Sequence, residues 1–114
     1  MIKARKWKDI KPRENPHKAD VRDLYKDEHA LIVHMMLEPG QSLIPHITPV
    51  DVAFYVLEGK GTVHIGKSKI EVTKGTMVES PKDIVHYWEN TGEKRLRVLT
   101  IKVPNPLSET QLLK

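Results

Sequence analysis

Residues Gly40–Asn90, GQSLIPHITPVDVAFYVLEGKGTVHIGKSKIEVTKGTMVESPKDIVHYWEN, read as short apolar runs separated by turn residues. Val52–Glu58 (VAFYVLE) is a β-branched and aromatic run of the kind a pleated surface prefers, and it ends at Gly59-Lys60-Gly61. Thr62–Ile65 and Ile70–Thr73 flank Gly66-Lys67-Ser68-Lys69, a hairpin signal in which glycine supplies a positive φ. Lys74-Gly75 and Ser80-Pro81-Lys82-Asp83 are further turns, and Ile84–Glu89 closes at Asn90-Thr91-Gly92-Glu93. Working outward, Leu31–Glu38 stops at Pro39-Gly40 and Leu96–Val103 stops at Pro104-Asn105-Pro106. Seven or eight short strands at spacings of about 8–12 residues predict an all-β sandwich or barrel.

The ends read differently. In residues 1–29, Lys3–Trp7 suits an edge strand or exchange arm. Asn15-Pro16 suits the start of a helical turn, with Val21, Leu24 and Tyr25 as its apolar stripe. Ser108-Glu109-Thr110-Gln111 has capping-box spacing, with too little chain after it for more than a marginal helix. The expected organisation is an arm at 1–29, a barrel at 30–103 and a tail at 104–114.

A chain of 114 residues is one domain's worth, and with zero cysteines it has no disulfide, Cys-ligated metal site or thiol nucleophile. At 39% hydrophobic and 30% charged it has a globular balance. The longest apolar run, Val52–Leu57, is far short of the roughly 20 residues of a membrane helix, and the charged start (MIKARKWKDIKPR) is not a signal peptide. A soluble, cytoplasmic protein is expected. The net charge of +4 is uneven: residues 1–29 sum to +3, residues 30–66 to −2 and residues 67–114 to +3. Only Lys3–Arg13 is a basic cluster, and acids interleave elsewhere, so the excess reads as a solvated surface. Nucleic acid is not the expected partner.

Two blocks carry a resemblance. Gly40, His46 and Gly59 form the first, and Gly75, Pro81, His86 and Asn90 the second. Their spacings resemble the two motifs of the cupin superfamily, as does the phrase YVLEG before Gly59. The resemblance implies a double-stranded β-helix, a jelly-roll barrel of two antiparallel sheets, and pairing into homodimers. In that family two His and a Glu of the first motif and a His of the second typically hold one metal ion. Here Thr48 stands where the second His belongs, Val52 where the Glu belongs and Asp83 where the second motif has glycine. Metal sites built from imidazole and carboxylate need three or four protein ligands. His46 and His86 are therefore an incomplete set, and His34, Asp51 and His64 are the candidates for a third ligand. The expected cofactor is none, or a weakly bound divalent transition metal.

Parity sorts the side chains, because successive residues of a strand face opposite ways. If His46 faces in, so does Thr48; if His86 does, so do Ile84 and Trp88. Phe54 and Val56 go with Val52, while Ala53, Tyr55 and Leu57 face out, where they suit a dimer interface. His64 falls on the outer face, His34 is ambiguous within LIVHMMLE, and His17 and His29 lie in polar segments that suit solvent. The expected pocket is His46, Thr48, Phe54, His86 and Trp88. Two main functions fit it. One is a barrel binding a small molecule, such as a sugar or an organic acid, beside a degenerate metal site. The other is a metal-dependent oxygenase, isomerase or lyase using His46, His86 and a third ligand. A weaker third is a polyanion binder acting through Lys3–Arg13. Whether the chain is an enzyme stays open.

Overall fold

Alternation along each strand decides which side chains fill the interior. The computed structural model describes residues 1–106 and 111–113. Its strands are β1 (Asp20–Lys26), β2 (Leu31–Leu37), β3 (His46–Ile47), β4 (Val52–Glu58), β5 (Lys60–Ile65), β6 (Ser68–Thr73), β7 (Met77–Ser80), β8 (Val85–Glu89), β9 (Leu96–Lys102) and β10 (Gln111–Leu112). They form two five-stranded sheets, ordered β1-β2-β9-β4-β7 and β10-β3-β8-β5-β6, and every pairing is antiparallel. This is the double-stranded β-helix expected from the sequence. No helix of the described residues is long and apolar enough to cross a membrane.

The core lies between the sheets. Val33, Met35, Val52, Phe54, Val56, Leu96 and Val98 of the first sheet cluster with Val63, Val72 and Trp88 of the second. Burying side chains of this size is worth about 1.5–3 kcal/mol each. Asn90 ties the barrel's end: its buried amide donates to the Leu37 and Lys94 carbonyls, both at 2.9 Å.

Turn chemistry closes the strands. Gly59 sits at φ 87°, and a Cβ there would run into the Arg95 carbonyl oxygen, so only glycine fits. Asp83 adopts φ 64° and donates its backbone N–H to Thr48 O at 2.9 Å. A left-handed conformation suits an Asp better than most side chains, which is how the glycine of the family motif can be replaced. A register shift between Val56 and Glu58 breaks strict alternation at the end of β4. Glu58 consequently accepts from Arg95 Nε (3.0 Å) and Arg97 Nε (2.6 Å) instead of entering the core.

The arm departs from expectation. Lys3–Trp7 is not a strand, and the single turn of 3-10 helix lies at Trp7–Asp9 rather than after Asn15-Pro16. Val21, Leu24 and Tyr25 belong to β1, an edge strand of the first sheet. Val21 points inward there, and a register shift between Asp23 and Tyr25 breaks the strand alternation and leaves Tyr25 exposed. Trp7 instead crosses the outside of the sheet and stacks on His34 with centroids 4.2 Å apart. Arg22 fixes that crossing by donating to the Trp7, Lys8 and Ile10 carbonyls. Ile84, expected inward, precedes β8 and is exposed at the turn. The capping-box residues Ser108-Glu109-Thr110 lie outside the described residues, and Gln111 begins β10.

Candidate functional site

The barrel holds a cavity of about 620 Å³ that opens to solvent. Its apolar wall includes Val21, Val33, Met35, Phe54 and Trp88, and its polar lining includes Arg13, His17, His46, His86 and Lys102. His46 and His86 are cross-strand partners on β3 and β8, and their rings meet edge to face at 4.6 Å. Phe54 lies edge-on to both His86 (5.3 Å) and Trp88 (5.5 Å). Of the expected pocket, His46, Phe54, His86 and Trp88 line the cavity. Thr48 is buried and reaches His86 through its hydroxyl.

Hydrogen bonds assign the protons. His86 has Ser80 Oγ at 2.6 Å from Nδ1 and Thr48 Oγ1 at 3.2 Å from Nε2, so both ring nitrogens are engaged. His46 Nδ1 lies 2.7 Å from the Ile44 carbonyl, which can only accept, so the neutral ring carries its proton there and leaves Nε2 a bare acceptor. The Ile44 N–H donates to His17 Nδ1 at 2.8 Å, so a neutral His17 carries its proton on Nε2. The His17 and His46 rings are 5.0 Å apart. His17, which the sequence suggested was solvent-facing, is thus part of the wall, because the turn at Pro16 swings it under the barrel mouth.

Electrostatics set the character of the space. Burial pushes His17 down to about 4, helped by His46 and the cations Arg13 and Lys102. Burial likewise pushes His86 down to about 3, with His46 and Lys102 adding to it. His46 is lowered by burial too, against the raising effect of its bond to Ile44. Lys102 closes the wall from the end of β9, paired across the ladder with Val52 on one side and Leu31 on the other. Val52 is the position where a metal-binding relative would carry its Glu, so a lysine ammonium stands beside the place where a carboxylate would be. Burial and Arg13 lower the Lys102 pKa, and Asp23 partly opposes them. Asp23 binds Arg13 Nε at 3.0 Å, while Lys102 has no hydrogen-bond partner among the described residues. Among the described residues no carboxylate lines the cavity.

The candidates for a third metal ligand lie elsewhere. His34 is on the outer face, buried under Trp7, with Nε2 at 3.1 Å from an Arg97 nitrogen. His64 is outside as parity predicts, paired with Glu89 and stacked on Tyr87. Asp51 accepts the Lys82 N–H at 2.8 Å, also outside the cavity lining. Among the described residues no three His, Cys, Asp or Glu side chains are grouped to share an ion. The donor set does not fit the metal of the family: His86 has no free nitrogen, and an ammonium stands near the missing carboxylate.

A family model described as a cupin domain matches residues 33–102. The chain belongs to the cupin superfamily. This cupin is 32% identical over 77 residues to a vicilin-like seed storage protein of Arabidopsis thaliana, covering 61% of this chain and 16% of that one. It therefore spans about one sixth of that relative. Among solved structures, the polyketide cyclase RemF of Streptomyces resistomycificus superposes with a TM-score of 0.84 at 18% identity, over 100% of this chain and 87% of that one. A predicted oxalate decarboxylase of Thermotoga maritima gives a TM-score of 0.76 at 22% identity, over 95% and 97%. At these identities the structures share the fold of this cupin, and its chemistry has to be read from its own cavity.

Sequence reasoning missed four residues of the site, namely Arg13, His17, Ser80 and Lys102. Lys102 was within reach of parity, since Leu96 and Val98 are the buried side of β9 and Lys102 shares their face. Ser80 likewise shares a face with Val78. Arg13 and His17 precede the first strand, where no periodicity reports an orientation.

Proposed function

We propose that this cupin binds a small organic anion in its barrel, with a carboxylate of the ligand paired to Lys102. The observation that carries the reading is the inward ammonium beside Val52, in a wall with no carboxylate among the described residues. A half-buried cation without a counter-charge is costly, and a bound anion offsets that cost. Two further donors support an acceptor-rich ligand: the buried indole N–H of Trp88 has no partner among the described residues, and the His17 Nε2–H accompanies it in the wall. The apolar remainder of the wall suits the carbon skeleton of an organic acid better than a sugar, whose hydroxyls need many polar partners. One structural neighbour is named for oxalate, itself a small dicarboxylate.

Thermal unfolding tests the reading. Small carboxylates at millimolar concentration should raise Tm, since a ligand held only by the native state stabilises it by mass action, and the matching primary amides should not. Lys102→Met should remove the carboxylate effect. Equal responses to acids and amides would overturn the assignment.

A metal-dependent enzyme is the second reading, and it needs a ligand that His34, Asp51 and His64 do not supply. Any divalent ion is proposed to bind weakly here, mostly through His46 Nε2 and water. We further propose a homodimer formed through the outer face of the first sheet, where Ala53, Ile101 and Val103 line a shallow depression and Tyr55 and Met77 are exposed.

A further inference from the structure

We propose that Lys102 is a nucleophile that condenses with the carbonyl carbon of a small oxo acid held in the cavity, giving a covalent imine. The inference rests on the anion-site reading and adds a reaction to it. Every other lysine among the described residues is exposed; Lys102 alone is drawn into the interior. It has no hydrogen-bond or ion-pair partner among those residues, so its amine is not committed to a structural role. Burial and the nearby Arg13 both disfavour the ammonium, which raises the share of free amine above that of a surface lysine.

The surroundings supply the remaining parts. The Nζ lone pair adds to the carbonyl carbon, forming the C–N bond as the C=O π pair moves to oxygen. That oxygen needs a proton, and the nitrogen must give one up. His46 Nε2, the bare acceptor, takes the proton that frees the Lys102 amine and returns it to the departing oxygen, while the neutral His17 Nε2–H donates a hydrogen bond to that oxygen. The carbinolamine hydroxyl then leaves as water while the nitrogen pair forms C=N. The balance is ammonium plus ketone to protonated imine plus water, with no oxidant or reductant. A protonated imine keeps the positive charge beside Val52, so the carboxylate of the oxo acid stays paired after the bond has formed. Val33, Met35 and Phe54 give the space an apolar flank against which the carbon skeleton of the oxo acid can pack.

Reductive trapping tests this. The intact chain would be incubated with pyruvate or acetoacetate, treated with sodium cyanoborohydride, digested and mapped by mass spectrometry. The expected result is a reduced adduct concentrated on the peptide holding Lys102, at least tenfold above any exposed lysine, and suppressed by isobutyrate, which has the carboxylate but no ketone. Lys102→Arg keeps the charge and should abolish the adduct while the oxo acids still raise Tm. If that variant does not fold, isobutyrate protection of the wild type decides alone. Trapping spread evenly over surface lysines, or no adduct in wild type while pyruvate still raises Tm, overturns the imine and leaves the anion site standing. No adduct together with no Tm response to any carboxylate overturns both.

Discussion

Three imidazoles are held neutral by the folded chain. His17 and His34 are pushed down to about 4 and His86 to about 3, in each case first by burial. For His34 the Arg97 and Arg22 guanidiniums add to the burial effect, and Asp20 opposes it. In the unfolded chain all three return to about 6.5. As pH falls below that value the unfolded state takes up protons that the native state refuses, so stability drops. The loss should begin near pH 6.5, continue to about 4 or 3, and then level off for these groups. Asp20 and Glu58 are depressed by their arginine partners, so their contribution is lost only at lower pH. Thermal melts across this range should therefore show Tm falling already between pH 6.5 and 5, ahead of the carboxylates. A flat Tm down to pH 4 would contradict the buried, neutral state of these rings.

At the scale of elements, turns with a demanding backbone separate two substitutions. Gly59→Ala forces a Cβ against the Arg95 carbonyl at φ 87°, so a loss of several kcal/mol is expected, enough to unfold a marginal domain. Asp83→Gly removes a left-handed non-glycine residue, and should change stability by no more than about 1 kcal/mol in either direction. Urea midpoints of the two variants give the comparison; similar losses would mean that the β4–β5 turn is softer than drawn. The same physics explains what the sequence made legible. Spacing between turn glycines and alternation within long strands located β2, β4, β5, β6, β8 and β9, and with β8 His86, while His46 was found through the Gly40–His46–Gly59 spacing of the family resemblance. The two-residue strands β3 and β10 are too short for a period, and β1 was hidden because Val21 and Leu24 fit a helical stripe as well as a strand. Thr48 and Val52 announced that the usual ligands were gone. What replaced them stayed hidden, because Lys102 lies on another strand and meets Val52 only through tertiary register.

For the whole molecule, association is the first expectation. Tyr55 at 40%, Met77 at 55% and Val103 at 59% exposure share one outer region of the first sheet. Sedimentation at micromolar concentration should give twice the 13.1 kDa chain mass, and Tyr55→Glu should shift the population to monomer without lowering the β content. A wild type that sediments as a monomer removes the dimer. The order of the first sheet carries a further consequence. β9, late in the chain, is its central strand, lying between β2 and β4. A ribosome therefore releases β2 and β4 long before the strand that joins them exists. Through most of synthesis these two apolar strands have open edges toward each other, and the sheet can zip shut only once residue 102 has left the exit tunnel. The final closure of the barrel and the arrival of its buried lysine are thus one event: a nascent chain has no pocket until β9 has emerged.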